Sequence, residues 1–244
     1  MKTLLLLLYF SSTILFAQYK TGEELLSAMH KKYYQKYSQS IEYDKKEINQ
    51  SDTILSHIWL QAQDKYRIDV SKAPLFWKYD CLICKNDSFF YYKENKLIKK
   101  TLYIRDSGAP TFWESNRSMS NEKIDWIFDM FKGRCDLSKV EKKCKDTVCI
   151  YIIGTERDSA RNGYTIYVDT KTLRVKRIHI KEGVQSLTYY YSELKEGCNL
   201  LTVQKNVVTT PFNGKERTDS NSIKYKYTNI KNLINIPDSI FNKK

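Results

Sequence analysis

The sequence predicts an α+β protein: a single curved antiparallel β-sheet, a half-barrel, with a few α-helices covering its concave face. Three observations support this fold class. Apolar and polar residues alternate in many short segments, as in antiparallel strands that bury one face. One N-terminal segment has instead the spacing of an amphipathic helix. Tyrosine, which favours half-buried pleated surfaces, occurs 19 times, whereas glycine and proline occur only 8 and 4 times, so no flexible linker is indicated.

The predicted helix begins near Thr21, a residue type that caps helix N-termini. Glu23 and Glu24 follow, and their charges suit the positive end of a helix. We expect the apolar face of this helix to pack on the sheet, and the same spacing predicts a second helix over residues 121–131. The apolar face of the first helix consists of Leu25, Leu26, Met29, Tyr33 and Tyr37.

Period-two patterning begins after this helix. The segments 58–62 and 66–70 carry apolar residues of the same parity, and a later strand is predicted over residues 164–168. A sheet of many strands curls or closes. Helices laid over an incompletely filled concave side would therefore enclose an apolar cavity, a common kind of ligand site.

A hairpin is predicted in the second half of the chain. Residues 169–172 have the composition of a turn, and the return strand is expected to start at Leu173. The apolar parity flips after residues 176–177, which is what a β-bulge produces. The C-terminal segment 236–241 is predicted to be extended, with its last apolar residues tucked under the fold.

The first residues predict export. Lys2 supplies a positive charge, an apolar stretch broken only by residues 11–13 follows, and Ala17 is a small residue at its end. This order is typical of a secretory signal peptide, and the stretch is shorter than the ~20 apolar residues of a membrane span. We expect residues 1–17 to be a signal peptide cleaved near Ala17, and residues 18–244 to form one periplasmic domain. An uncleaved N-terminal anchor is the alternative.

The net charge of +13 restricts the class of partner. Basic residues are spread along the whole chain, which favours a solvated lysine-rich surface. Attraction to anionic lipid headgroups is the alternative interpretation. Export argues against nucleic acid, and paired lysines and tyrosines near residue 225 are explained by a strand with tyrosine inward and lysine outward.

Six cysteines in an exported chain predict disulfides. Cys81 and Cys84 lie on a predicted strand, where residues three apart face opposite sides, so a bond between them would strain it. Cys135, Cys144 and Cys149 bracket a charged loop that a disulfide could pin. Zinc held by the first two cysteines and two later ones is the alternative. The six are Cys81, Cys84, Cys135, Cys144, Cys149 and Cys198.

No catalytic motif is found. The three histidines, His30, His57 and His179, have no metal-ligand spacing, and the chain lacks a Gly-x-Ser-x-Gly elbow and a phosphate-binding glycine loop. We therefore expect no enzyme activity, no metal and no cofactor. A catalytic triad that folding assembles from distant residues is the alternative.

Three segments carry a resemblance to a known family: Asp64-Lys65-Tyr66-Arg67-Ile68-Asp69, the hairpin 163–178 with its Val-Asp-x-x-Thr-Leu turn, and the closing Ile-Pro-Asp-Ser-Ile-Phe of residues 236–241. With an N-terminal helix and a helical insert, their order resembles the periplasmic outer-membrane lipoprotein carriers, the LolA-like fold. The resemblance implies a half-barrel with helices as a lid, which holds lipoprotein acyl chains without metal or catalysis. The family's Arg-Pro pair is replaced here by Ala62-Gln63.

We therefore expect an exported periplasmic protein that binds or carries apolar ligands, lipoprotein acyl chains or other lipids, in the cavity of a curved sheet. The resemblance adds lipoproteins and envelope membrane proteins as partners, and we expect a monomer. The alternative is an envelope interaction or structural module with a self-filled core and no lipid cargo. By their shared parity, the residues predicted to line the cavity are Ile58, Leu60, Tyr66, Ile68, Ile166 and Val168.

Overall fold

The fold is taken from a computed structural model, which describes most of the chain. The signal-peptide residues, Tyr37, Cys198 and the second predicted helix lie outside the described residues. The described ranges are 19–33, 40–50, 52–61, 65–85, 88–102, 135–154, 162–193, 199–212 and 215–242.

All strands within the described ranges belong to one 13-stranded antiparallel sheet. The α-helix α1 (Gly22–Tyr33) precedes the strands, and a 3₁₀-helix (Asp238–Phe241) follows them. The strands are β1 (Ser40–Asn49), β2 (Asp52–Gln61), β3 (Lys65–Lys72), β4 (Cys81–Lys85), β5 (Ser88–Lys93), β6 (Lys96–Leu102), β7 (Val140–Lys145), β8 (Val148–Ile153), β9 (Asn162–Asp169), β10 (Val175–Glu182), β11 (Gln185–Glu193), β12 (Asn199–Phe212) and β13 (Lys215–Leu233).

The strand order is β6-β5-β4-β3-β2-β1-β13-β12-β11-β10-β9-β8-β7, so the sheet is open, with β6 and β7 at its edges. The chain starts in the middle of the sheet and winds outward to β6. It resumes at the opposite edge and winds inward to β13, which pairs with β1. Two meanders of antiparallel neighbours are thus joined side by side, which confirms the predicted single antiparallel sheet.

Helix α1 begins with a capping box, as expected from Thr21. The Glu24 backbone N–H donates to Thr21 Oγ1 at 3.2 Å, and the Thr21 N–H donates to Glu24 Oε2 at 3.4 Å. Leu25, Leu26 and Met29 are buried, so the predicted apolar face packs inward. This helix covers the second half of the sheet. Its cluster includes Tyr151, Ile153, Ile166, Val168, Val175, Ile178, Ile180, Tyr189, Tyr191, Leu201 and Tyr225.

The predicted hairpin after β9 is confirmed. Asp169 Oδ1 accepts hydrogen bonds from the backbone N–H groups of Lys171 and Thr172, at 3.0 and 2.7 Å. Leu173 has a φ of 56° and still belongs to the turn, so the return strand starts later than predicted, at Val175. A register shift between Val175 and Arg177 confirms the predicted bulge.

The C-terminal tail packs on the sheet face opposite α1, and it forms a 3₁₀ turn where an extended segment was predicted. Ile236 and Phe241 are almost fully buried against Cys81 and Ile83. Arg67 Nη1 donates to the Ile240 carbonyl at 2.8 Å and holds the tail in place. Helix α1 and the C-terminal tail therefore pack on opposite faces of the sheet, and of the few covering helices predicted, α1 is the one α-helix among the described residues.

Cys81 and Cys84 lie on opposite faces of the sheet, as the strand geometry predicts. Cys81 belongs to the cluster under the C-terminal tail, whereas Cys84 belongs to the cluster on the other face, so the two thiols point away from each other. Cys144 and Cys149 form a disulfide across the β7–β8 turn and pin the charged loop. Cys135 carries a free thiol, and burial, together with the charge of Asp136, raises its pKa to about 12.

Candidate functional site

The apolar face of β1–β5 is built from two rows of cross-strand neighbours, which we call the β1–β5 face. Each strand contributes one residue to each row, because alternate residues face the same side. The register places the first row as Tyr43, Ile58, Ile68, Leu82 and Tyr91. The second row is Ile41, Leu60, Tyr66, Cys84 and Phe89.

Aromatic rings extend this face towards the loop between β3 and β4. The Tyr66 and Phe89 rings meet edge to face with centroids 6.2 Å apart, and Tyr79 meets Tyr91 at 5.3 Å. The Trp77 and Tyr79 ring centroids are 5.1 Å apart, so the series of ring contacts continues to Trp77. Such offset and edge contacts are the favoured geometry of aromatic pairs. The face is therefore an apolar and aromatic surface that continues to the end of the sheet.

The structure divides the six predicted cavity residues into two groups. Ile58, Leu60, Tyr66 and Ile68 lie together in the two rows of the β1–β5 face. Ile166 and Val168 lie instead under α1, each with 0% exposure, in the tightly packed half of the sheet. These two positions are thus occupied by packing against α1.

One tyrosine joins the two halves. Tyr227 packs against both clusters, and its ring meets the Tyr43 ring at 5.5 Å. Its hydroxyl donates to the Leu201 carbonyl at 2.6 Å. Burial, with the charge of the neighbouring tyrosines and of Glu47, raises the Tyr227 pKa well above its usual value. The apolar side of the sheet is therefore continuous from β5 to β8.

A charged pair lies within this apolar side, at the seam between the two halves. Lys45 and Glu47 share the parity of Ile41 and Tyr43 on β1, and Lys45 Nζ is 3.3 Å from Glu47 Oε2. This pair was not predicted from the sequence, because charged residues are rarely expected on the buried face of a strand. Continuing the same parity for two more steps would have found it.

Tyrosines surround this charged pair. Lys45 Nζ lies 5.5 Å from the Tyr225 ring centroid, a cation–π distance. Burial raises the pKa of Tyr225, and burial together with the charges of Tyr91 and Glu47 raises the pKa of Tyr79 to about 12. Burial also lowers the pKa of Lys45, although Glu47 opposes that shift. The tyrosine hydroxyls are therefore neutral donors at physiological pH.

A second polar cluster lies on the opposite face of β1 and β2. His57 Nδ1 is 2.5 Å from Asp44 Oδ1, and His57 Nε2 is 3.1 Å from Glu42 Oε1. Asn229 also donates to Asp44, and the hydrogen bond from His57 is the main reason why the Asp44 pKa is lowered. This cluster ties β13 to β1 and β2 and is separated from the apolar side by the sheet.

The loop between β3 and β4 presents an exposed apolar tip. The Trp77 backbone N–H donates to the Pro74 carbonyl at 2.9 Å, which closes a turn with Leu75 and Phe76 at its centre. Their exposed fractions are 107% and 71%. Asp80 Oδ2 accepts from the Glu94 N–H, so the β5–β6 turn lies beside this loop. The exposed lysines within or directly flanking these two segments are Lys72, Lys78, Lys93 and Lys96.

A polar depression of about 290 Å³ lies elsewhere on the sheet, where the β1–β2 turn adjoins residues 220–224 of β13. Gln50 donates to Asn221 there at 3.5 Å. Among the described residues, no group of three His, Cys, Asp or Glu side chains could hold a metal ion. No helix in the described ranges is long and apolar enough to cross a membrane.

The solved structures show which architecture this is. A LolA superfamily protein from Nitrosomonas europaea superposes with a TM-score of 0.50 at 11% identity, covering 91% of this chain and 98% of that one. The fold is LolA-like. A DUF1329 family protein from Desulfovibrio piger shares it, with a TM-score of 0.50, 15% identity and coverage of 91% and 95%. The resemblance seen in the sequence is thus confirmed at the level of the LolA-like fold.

The comparisons by sequence give no relative. No protein-family model matches the chain, and the search of curated proteins gives no significant match. Sequence identities of 11% and 15% support a shared fold and nothing beyond it. A shared fold does not determine a function, so the function of this LolA-like sheet depends on the side chains of the faces described above.

Proposed function

We propose that this protein is a periplasmic, non-catalytic binder or carrier of apolar ligands, either lipoprotein acyl chains or other lipids. The observation that carries the proposal is the β1–β5 face. Ten residues in two rows cross five neighbouring strands, and nearly all are apolar or aromatic. An acyl chain laid along such a face loses contact with water, which stabilises the complex by about 0.8 kcal/mol per buried methylene.

The burial of this face sets a condition on uptake. Ile58, Tyr66 and Ile68 are almost completely buried, so the face is closed in this structure. A ligand therefore enters only if the face opens, and the free energy of opening lowers the apparent affinity. The four predicted cavity residues in the two rows are the proposed ligand contacts, whereas Ile166 and Val168 support the sheet from under α1.

The same burial favours a second candidate function. If the β1–β5 face stays closed, its aromatic rows form a self-filled core, and the protein is an envelope interaction or structural module without cargo. Tyr66, Phe89, Tyr79 and Tyr91 form a chain of ring contacts that such a core requires. The two functions differ in whether a ligand can replace the protein's own contacts that close the β1–β5 face.

The exposed loop tip supports the approach of a carrier to a membrane. Leu75 and Phe76 can bury their side chains at the boundary between headgroups and acyl chains, while the lysines beside them face anionic headgroups. Each lysine close to such a surface contributes about 1 kcal/mol at low salt. The tip lies at the end of the same aromatic strip that starts on the β1–β5 face, so membrane contact and ligand entry are proposed to occur at one end.

Native mass spectrometry of the mature protein, purified from an envelope fraction, tests the proposal. A discrete added mass that solvent extracts as fatty acid, phospholipid or lipopeptide would support the carrier and identify the cargo class. An unliganded mass that stays unchanged after incubation with dodecyl-chain probes would contradict it and leave the interaction module. The non-reducing spectrum also counts the oxidised thiols, for which the Cys144–Cys149 bond is the internal reference.

A further inference from the structure

The seam between the two halves of the apolar side contains three polar residues in a compact patch. Lys45 lies directly opposite Ser56 on β2, and Glu47 is the next residue of the same parity. On the other side, β13 places Tyr227 opposite Lys45 and Tyr225 opposite Glu47. We call Lys45, Glu47 and Ser56 the seam patch. It adjoins the first apolar row, because Tyr43 and Ile58 are its neighbours on β1 and β2.

The patch is deeply buried. The Lys45 side chain is 2% exposed and Ser56 is 5% exposed, while Glu47 is 18% exposed. A buried ion pair generally stabilises a fold no better than apolar side chains of the same volume, because both charges lose their hydration. Packing alone therefore gives no reason for a lysine and a glutamate here. A few polar groups in an apolar site typically fix the orientation of a ligand.

Ser56 gives an independent indication. Its Oγ atom is buried and makes no hydrogen bond within the described part of the chain. A buried hydroxyl without a partner costs free energy, since it has lost its water. Ser56 faces the same side as Ile58, into the apolar side of the sheet. A ligand atom next to Lys45 and Ser56 would satisfy this hydroxyl.

The charge balance of the patch selects the chemistry of that ligand atom. Glu47 already neutralises Lys45, so a second anion would leave an uncompensated negative charge in a buried place. An ammonium has three donors, and one carbonyl oxygen can accept from it while Glu47 stays bound. We propose that the seam patch binds the ester or amide carbonyl of an acylated ligand, with Lys45 and Ser56 donating to its oxygen, while the chain lies along the β1–β5 face.

This inference rests on the proposed function and adds a preference that can be measured. Three probes of one chain length, methyl dodecanoate, dodecanoate and dodecane, compete with an apolar fluorescent dye for the wild-type protein. The ester is expected to bind about tenfold more tightly than the alkane, the effect of one hydrogen bond from a charged donor. It is also expected to bind more tightly than the carboxylate, which meets Glu47.

Two variants separate the patch from the rest of the face. Ser56→Ala removes one donor with little change of volume and is expected to reduce the ester advantage about threefold. Lys45→Met with Glu47→Leu replaces both charges by apolar groups, which such pairs tolerate well. In this double variant the ester advantage is expected to disappear, while dodecane binds as in the wild type.

The outcomes distinguish this inference from the proposed function. Equal binding of the three probes by the wild type, or an unchanged ester advantage in the double variant, would overturn the role of the seam patch and leave the carrier standing. Tighter binding of dodecanoate than of the ester would also overturn it. If neither the dye nor any probe binds the wild type, the proposed function fails, and this inference fails with it.

Discussion

Asp169 shows how one side chain fixes a turn. Its Oδ1 atom accepts from the N–H groups of Lys171 and Thr172 and from the Thr172 hydroxyl at 2.9 Å. Burial alone would raise its pKa, but these hydrogen bonds favour the carboxylate and lower the pKa below 3.8. The ionised form is therefore bound more strongly in the folded than in the unfolded protein, so this group stabilises the fold above about pH 4.

We predict that Asp169→Asn destabilises the protein by about 1 kcal/mol at pH 6, because the amide keeps an acceptor oxygen but loses the charge. In the wild type, the stabilisation that Asp169 contributes is lost as the pH falls through the pKa of this carboxyl group in the folded protein. The difference between the two proteins should therefore shrink by about pH 3. Urea unfolding at both pH values measures it, and a difference that does not depend on pH would argue against the charge.

Lys45 of the seam patch is, like Asp169, a residue whose surroundings decide its role. Lys45 has the period-two position of a core residue and the side chain of a surface residue. Alternation on β1 could have predicted its burial, although it could not predict that Ser56 lies opposite, since the register of β2 depends on the turn between the strands. The order of residue types along a strand predicts which face a side chain lies on, whereas the strand register decides which residues are its neighbours.

At the scale of elements, the C-terminal tail depends on its tethers. The Arg67 guanidinium forms two 2.8 Å contacts with Asp69 and also donates to the Ile240 carbonyl. It stacks near Trp59, with 5.5 Å between the guanidinium carbon and the ring centroid. Lys65 also tethers the tail, through a 2.8 Å ion pair with Asp238 that is mostly exposed.

We predict that Arg67→Lys weakens the fold by about 1–2 kcal/mol, because an ammonium cannot make the planar contacts to Asp69 and Ile240 together. The matched control is Lys65→Met, which removes the exposed tether and should cost less than about 0.5 kcal/mol. Urea unfolding of the wild type and of both variants measures the two losses of stability. Equal losses in the two variants would show that the tail is held by its apolar residues alone.

The β3–β4 loop is the element proposed to meet membranes. We predict that Leu75→Glu with Phe76→Glu lowers binding to vesicles containing anionic phospholipid by at least about tenfold, since each apolar side chain contributes about 1.5–3 kcal/mol when buried. Val184→Glu is the control, because Val184 is also exposed, at 57%, but lies at the β10–β11 turn. Sedimentation with the vesicles measures binding. An equal loss in the control would indicate a general effect of added negative charge.

For the molecule as a whole, the two halves of the apolar side are expected to respond differently to a buried charge. We predict that Ile68→Asp stays folded but loses ligand, because a face that opens lets the carboxylate reach water. Ile166→Asp should unfold the protein, since α1 closes over Ile166 and a buried unpaired charge is very costly. Circular dichroism and dye binding test both variants. Unfolding of both would favour the self-filled core.

The strands and their faces could be predicted from the sequence, whereas the elements that cover each face could not. Alternation identified the faces of β2, β3 and β9, and the parity flip located the bulge near Arg177. It also grouped Ile166 and Val168 with Ile58, because parity assigns a side of each strand but not the element that covers it. The helix α1 and the C-terminal tail could be located in the sequence, whereas the faces they cover depend on long-range packing.

The pairing of β1 with β13 has a consequence for how the protein is made. Ser40 pairs with Leu233, so the two central strands come from opposite ends of the chain. Closing that contact carries the entropy of a very long loop, which makes it slow. The meander from β1 to β6 can form while the C-terminal half is still being synthesised, but the sheet cannot be completed until β13 emerges. The two halves of the sheet therefore join only after the whole length from β1 to β13 has been synthesised.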